Sequence, residues 1–157
     1  MEYFQLANGD AAGFDNPADA PAGATPITAE QFAAIATTPA LTLAQAQAAQ
    51  VATLTADCRA SILSGFTSSA LGATYTYPSD QITQGNQGMV ANSPVGGGLW
   101  CSASATGLTG HTQAQAQQVC ADFVKWLNAC QQRLVTLNAQ VNAATTVAGV
   151  QAVSWAS

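Results

Sequence analysis

Charge is what this sequence has least of: Asp, Glu, Lys and Arg make up 7% of its 157 residues, against roughly 25% in ordinary soluble domains. Three cations, Arg59, Lys125 and Arg133, stand against eight acids, for a net charge of −5. Binding nucleic acid takes a run or stripe of Lys and Arg to neutralise phosphates, and none exists here. The same shortage disfavours an anionic membrane surface. No apolar run reaches the 18 or so residues of a membrane span. The opening Met1-Glu2-Tyr3-Phe4 offers neither a basic segment nor an apolar one, so no secretory signal is expected and the chain is expected to fold in a cytoplasm.

Catalytic groups are equally scarce. Catalysis needs converging acids, bases or nucleophiles, and the chain has one histidine, His111. Its place directly before Thr112 suggests an exposed or helix-capping side chain. A Cys–His pair would need an orienting group and an oxyanion site, and nothing identifies either. Asp57, Asp80 and Asp122 are isolated. Asp57 lies beside Arg59, and Asp122 lies three residues before Lys125, a spacing suited to weak pairing on a helix surface. Gly96-Gly97-Gly98 lacks the GK[ST] of a phosphate loop. Four cysteines, Cys58, Cys101, Cys120 and Cys130, lie far apart with no CxxC. In a reducing compartment they read as small buried apolar residues. Cys120 and Cys130 share a predicted helix but sit about 15 Å apart along it, too far to bridge each other. A zinc site built from the cysteines and His111 would match no usual spacing. The chain is therefore read as having no catalytic, cofactor or metal site. Tyr75, Tyr77 and Trp100 leave two readings open, a sugar-binding platform or a local core under a hairpin, and the core is favoured.

Ala, Gln, Thr, Ser and Asn fill the places where charge would normally sit. A surface of amides and hydroxyls has little charge repulsion and can be buried against a neighbour at modest cost, which favours assembly. The length suits one compact domain or a small module with an arm. Residues 1–40 hold five of the eight acids and four of the six prolines, Pro17, Pro21, Pro26 and Pro39. They read as an extended N-terminal arm for docking or assembly. Its parts are a strand from Tyr3 to Leu6, a turn at Asn8-Gly9-Asp10 and a second extended piece around Phe14. Thr28 and Gln31 then form the two halves of a helix cap, and Pro39 bounds that short helix.

Residues 41–157 read as a helical hairpin with a β-rich insertion at about 65–110. Val51, Leu54, Cys58 and Ile62 recur at helical spacing between a cap at Thr42 and a stop at Gly65. Phe66-Thr67-Ser68 and Ala73 to Tyr77 alternate as a hairpin. Asp80 caps a short helix that Gly85 and Gly88 weaken. Gly96 to Gly98 mark a loop, and Leu99-Trp100-Cys101 pairs with the segment before Gly107. Thr112 and Gln115 form a capping box for a helix of about 113–143, with one apolar face running through Val119, Phe123, Trp126, Leu127, Cys130, Leu134, Leu137 and Val141. Thr145 or Thr146 caps a last helix ending near Trp155. The fold class is α+β, mainly helical: an antiparallel helical hairpin, a small β-rich excursion and an N-terminal extended arm. Val51, Leu54, Phe123, Trp126, Leu127, Leu134 and Leu137 are the expected assembly face. Two helices and two small hairpins give them limited cover, so self-association is expected.

One run carries a resemblance. Cys58-Arg59-Ala60-Ser61-Ile62-Leu63-Ser64-Gly65-Phe66-Thr67-Ser68-Ser69-Ala70-Leu71-Gly72 is followed by Tyr75-Thr76-Tyr77-Pro78, Asp80-Gln81, Trp100-Cys101, His111-Thr112 and the long amphipathic helix. In that order the segment from about Leu43 to Trp155 resembles a family of small domains of unknown function found in tail and tail-fibre proteins of tailed bacteriophages. The stretch from Gly85 to Gly98 is richer in glycine than that family's pattern. The arm, with its aromatic start and Pro-Ala-Asp-Ala-Pro turn, is similar to the openings of small tail-fibre and fibre-assembly proteins. The resemblance implies a virion structural protein made in the host cytoplasm and partnered by other tail or fibre proteins, in homotrimers if it belongs to a fibre. A tail-fibre assembly chaperone and a glycan-binding module are the alternatives. It carries over no catalytic residue.

Overall fold

The structure, a computed structural model, describes residues 1–37 and 41–155. The chain divides into two compact units, Met1–Leu41 and Thr42–Ser157, and has the expected mainly helical α+β composition.

The first unit is folded rather than merely extended. Strands β1 (Glu2–Gln5), β2 (Ala11–Phe14) and β3 (Thr25–Ile27) form an antiparallel sheet in the order β2-β1-β3. The turn between β1 and β2 is held by Asn8, whose amide donates to the Asp10 carboxylate while its carbonyl oxygen accepts from the Asp10 N–H. Period-two alternation sends Tyr3 and Phe4 to opposite faces. Tyr3 stacks on Phe32 at 4.4 Å, and Phe4, buried, meets Phe14 edge-on at 5.9 Å. β3 is invisible to the sequence reading because Pro26 argues against a strand; at a sheet edge, where one side of the backbone needs no partner, it is tolerated. Helix α1 (Ala29–Thr37) begins at the expected Thr28–Gln31 cap, with both hydrogen bonds present. Pro39, expected to bound it, lies outside the described residues.

The second unit is built on α2 (Leu43–Leu63) and α4 (Gln113–Ala143), each opened by a Thr–Gln capping box, Thr42 with Gln45 and Thr112 with Gln115. They run antiparallel. Gln47, near the start of α2, donates to the carbonyls of Val141 and Ala144 at the end of α4, while the Trp126 indole reaches Ser61 near the end of α2. α2 stops at Gly65, whose φ of 108° suits glycine and whose added Cβ would lie 3.0 Å from the Tyr77 carbonyl oxygen. Along the seam Leu54, Cys58, Cys130, Leu137 and Val141 are buried. α5 (Val147–Gln151), capped by Thr146, folds back over one end and inserts the fully buried Val150 beside Ala46, Leu54, Leu137 and Val141. Burying each such side chain contributes roughly 1.5–3 kcal/mol. This last helix ends at Gln151, short of the expected Trp155, because Ala152 caps it.

Between the long helices lie β4 (Phe66–Ser68), β5 (Tyr75–Tyr77), α3 (Gln81–Ala91), β6 (Gly97–Trp100) and β7 (Leu108–His111). β4 pairs with β5 as expected, with Phe66 opposite Tyr77. Their rings stack on each other, the Phe66 ring also meets Phe123 of α4 at a tilt, and Leu99, Cys101, Ala116 and Val119 complete a second core. Three expectations are corrected here. α3 continues through Gly85 and Gly88 to Ala91, because the Asp80 carboxylate caps its start and the buried Gln87 amide ties it to the Pro78 carbonyl. Gly97 and Gly98 belong to a strand, leaving Gly96 to make the turn. The partner of β6 follows Gly107 instead of preceding it, with Trp100 opposite Leu108 and Gly97 opposite His111. Among the described residues, no helix is long and apolar enough to cross a membrane.

Two pairs of substitutions check this packing. Leu134, half-buried against the core under α5, should not accept Asp; the loss should be at least about 2 kcal/mol, a large share of a domain's total of roughly 5–15 kcal/mol. Gln132→Glu, on an exposed position, should leave the melting temperature nearly unchanged, and thermal melts by circular dichroism compare the two. Gly96 has φ +71°, and a Cβ there would lie 2.1 Å from the His111 carbonyl oxygen. Gly96→Ala should therefore cost roughly 2–4 kcal/mol by denaturant titration. Gly110→Ala, which meets nothing within 4 Å, should cost little.

Candidate functional site

The stripe expected as an assembly face is divided by the fold. Leu54 and Leu137 are buried in the α2–α4 seam, with Val51 and Leu134 half-buried beside them under α5. Phe123, about three to four turns earlier on α4, packs instead on Phe66 in the other core. Leu127 is half-buried, and Trp126 keeps 36% of its surface exposed. The cover that two helices and two hairpins lack comes from α5, whose role the sequence did not signal.

Trp126 borders a cleft of about 300 Å³ lined also by Ser61, Ala129, Cys130, Arg133 and Trp155. The Arg133 guanidinium lies 5.4 Å from the Trp155 ring centre and donates to the Trp155 carbonyl at 2.6 Å, so the cation both lies over the ring and pins the segment after α5. A second cleft, about 400 Å³, is bounded by Arg59, Ile62, Leu63, Gln81 and Gln84. Neither holds a pair of groups able to donate and accept a proton in one reaction.

Strand alternation turns Tyr75 and Tyr77 together toward the core side of β5 and Trp100 outward on β6. Tyr77 is fully buried and Tyr75 half-buried, while Trp100 is 51% exposed. They therefore do not share one surface. On the outer side of the β6–β7 hairpin Trp100 faces Leu108, itself 50% exposed, with Gly98 and Gly110 paired beside them. Two glycines and two large apolar side chains make this face flat and apolar.

His111 is buried at 4% exposure, which corrects the expectation of an exposed or capping histidine. Its Nδ1 lies 2.8 Å from the Thr109 carbonyl, and its Nε2 lies 2.8 Å from the Tyr77 hydroxyl. A carbonyl oxygen can accept but not donate, so Nδ1 carries the proton and the Tyr77 hydroxyl donates to Nε2. Burial pushes the Tyr77 phenol well up, and the neighbouring Cys101, Tyr75 and Asp122 add to the effect. This network is a core device; the missed signal was that His111 shares the inward face of a strand with Thr109. Asp122 is the other polar centre. It accepts from Ser68 at 2.8 Å and from Gln118 and Lys125 at 2.9 Å, the last being the expected helix pair. Partial burial pushes its carboxyl up, but those hydrogen bonds and the lysine charge outweigh burial and hold it below the ordinary range.

The cysteines are free thiols; Cys58, Cys101 and Cys130 are buried and Cys120 is half-buried. Burial pushes the thiols of Cys58, Cys120 and Cys130 up, the opposite of the activation a nucleophile needs. Among the described residues, no group of three or more His, Cys, Asp or Glu could hold a metal ion.

Tyr77→Phe keeps the ring packing and leaves Nε2 of His111 without its donor, so denaturant titration should show a loss of about 1–3 kcal/mol. Asp122 gives a pH signature. Because its folded carboxyl is held low, its stabilising contribution is complete above the ordinary carboxylate value and is lost as pH falls through the depressed one. Melting temperatures between neutral pH and pH 2 should fall less steeply in Asp122→Asn than in the natural chain.

Residues 45–154 match the domain of unknown function DUF4376. No curated protein and no solved structure matches the chain. The matched stretch runs from the first turn of α2 to just beyond α5 and takes in both cores; the unit Met1–Leu41 lies outside it. By that match, over well more than half of its length, the chain belongs to the DUF4376 family.

Proposed function

We propose that this protein is a structural component of a tailed-bacteriophage particle, in the tail or tail fibre, and that it works by protein–protein assembly rather than catalysis. The observation that carries the reading is the outer face of the β6–β7 hairpin, where Trp100 and Leu108 are paired and half exposed on a unit with very little surface charge. Isolated exposed apolar residues are ordinary. A tryptophan fixed on a hairpin, with its ring lying against Gly107 and the Gly98–Gly110 pair beside it, is different, because it offers a large rigid contact area with little entropy left to lose. Tryptophan is enriched at the centres of interfaces for that reason. The amide-rich surroundings can be covered without burying unpaired charge. The likeness of the Cys58–Gly72 run and of the long amphipathic helix to tail and fibre domains supplies the phage context. Other tail or fibre proteins, and further copies of this chain, are the partners, and the site of action is the virion after synthesis in the host cytoplasm.

A second reading, a tail-fibre assembly chaperone, is favoured by a different observation. The unit Met1–Leu41 folds around its own aromatic contacts, holds Glu2, Asp10, Asp15, Asp19 and Glu30 and has no Lys or Arg. It is similar to the openings of fibre-assembly proteins, and a separate acidic module suits a transient contact.

Mass spectrometry of purified particles separates the two readings. A structural component should be present at several copies per particle; absence from particles together with presence in assembling lysates would favour the chaperone. Trp100→Ala should lower incorporation into particles by tenfold or more, in line with losses of about 2–4 kcal/mol at buried interface tryptophans, with little change in the melting temperature of the free chain. Incorporation unchanged by that substitution would contradict the assignment of this face.

A further inference from the structure

We propose that Cys130 is a site of oxidation by low-molecular-weight disulfides and that Cys58 resolves the product into a covalent staple between α2 and α4. The two residues face each other across the seam. The Cys58 thiol sits 3.6 Å from the Cys130 carbonyl oxygen and donates to it. Each is 3% exposed. The other two cysteines, Cys101 and Cys120, belong to the separate core around Phe66 and Tyr77. A disulfide needs Cα atoms roughly 4.4–6.8 Å apart. The Cys58 sulfur already touches the backbone of Cys130, so the two residues are direct neighbours across the seam, and the proposed bridge closes by rotation of the two side chains with local adjustment of the helices.

Both thiols are equally buried, but only one of the two residues borders a cleft, and that sets the proposed order of events. Cys130 lines the cleft walled by Trp126, Arg133 and Trp155, whereas Cys58 does not border it. A small disulfide such as oxidised glutathione therefore meets Cys130 first. The Cys130 thiolate attacks one glutathione sulfur; the glutathione S–S bond breaks, a Cys130–glutathione bond forms, and one glutathione thiolate leaves. The Cys58 thiolate then attacks the Cys130 sulfur and expels the second glutathione. Two protein thiols lose two protons and two electrons, and one glutathione disulfide becomes two thiols. Burial disfavours the thiolates, so both steps are slow beside those of an exposed thiol. The staple closes a loop between positions 72 residues apart. A loop of that size restricts the unfolded chain strongly, enough to raise the melting temperature by roughly 10 °C. The device stands apart from the assembly reading: it needs only that the folded chain pass from a reducing to an oxidising medium.

The scarcity of cations makes the test unambiguous. Trypsin can cut after Arg59, Lys125 and Arg133, so Cys58 falls in the peptide 1–59, Cys130 in 126–133, and Cys101 and Cys120 together in 60–125. The folded, reduced full-length chain is incubated with oxidised glutathione, alkylated and mapped without reduction. The expected product is 1–59 joined to 126–133, two hydrogens lighter than the sum of the two peptides, together with a melting temperature raised by roughly 10 °C and restored by dithiothreitol. The variants Cys58→Ala and Cys130→Ala should each abolish the rise, with Cys58→Ala accumulating the glutathione adduct on 126–133. Glutathione found on 60–125 while Cys58 and Cys130 remain alkylatable would overturn the proposal. So would an adduct on 126–133 in the natural chain that never passes to Cys58. The map of the natural chain decides by itself if either variant fails to fold.

Discussion

The antiparallel seam between α2 and α4, closed at one end by α5, is the constraint on which the rest of the larger unit depends. Each long helix contributes to it through small or branched side chains, and Gln47, Gln50 and Trp126 tie its edges with hydrogen bonds to backbone carbonyls. α4 is long enough to serve two cores. Its last turns meet α2 and α5 around Leu137 and Val141, and its first turns meet the strands around Ala116 and Val119. The β-rich excursion is therefore held by the same rod that forms the hairpin. Displacing α4 would disturb both cores together. Strand alternation on β6 then buries Leu99 in the core that the first turns of α4 share and turns Trp100, the next residue, outward.

Polar chemistry inside this unit is spent on order. The Thr109–His111–Tyr77 chain satisfies every nitrogen of a buried imidazole and fixes its tautomer. Asp122 gathers Ser68, Gln118 and Lys125, joining β4 to α4. Networks of this kind fix a unique arrangement when every member is partnered. With so few charges elsewhere, the surface beyond them is neutral. This combination, an ordered interior under a sparsely charged exterior with a flat apolar hairpin face, suits a part that is added to an assembly.

What could be read in the sequence was local. Thr28, Thr42, Thr112 and Asp80 announce their helices because a cap involves residues three positions apart. Gly65 stops α2 where expected, and the alternation of Phe66 to Ser68 with Tyr75 to Tyr77 gives the first hairpin. The misreadings came from distant contacts. Pro26 enters a strand because it lies on a sheet edge, and α3 survives two glycines because Gln87 is anchored to Pro78. β6 finds its partner beyond Gly107, and His111 is buried because Tyr77, thirty-four positions away, supplies its hydrogen bond. The apolar stripe of α4 was legible as a stripe. Its division between two cores was not, since helical spacing identifies a buried face without identifying what covers it.

Hydrogen exchange of the free chain, compared with the chain bound to purified tails, tests the central claim most directly: that the α2–α4 seam is internal scaffold and the β6–β7 hairpin is the contact. The expected result is slow exchange throughout α2 and α4 in both states, with new protection on binding confined to residues near Trp100 and Leu108. Exchange in α2 and α4 that changes on binding, with the hairpin unaltered, would show instead that the helices open to form the interface and would contradict the account.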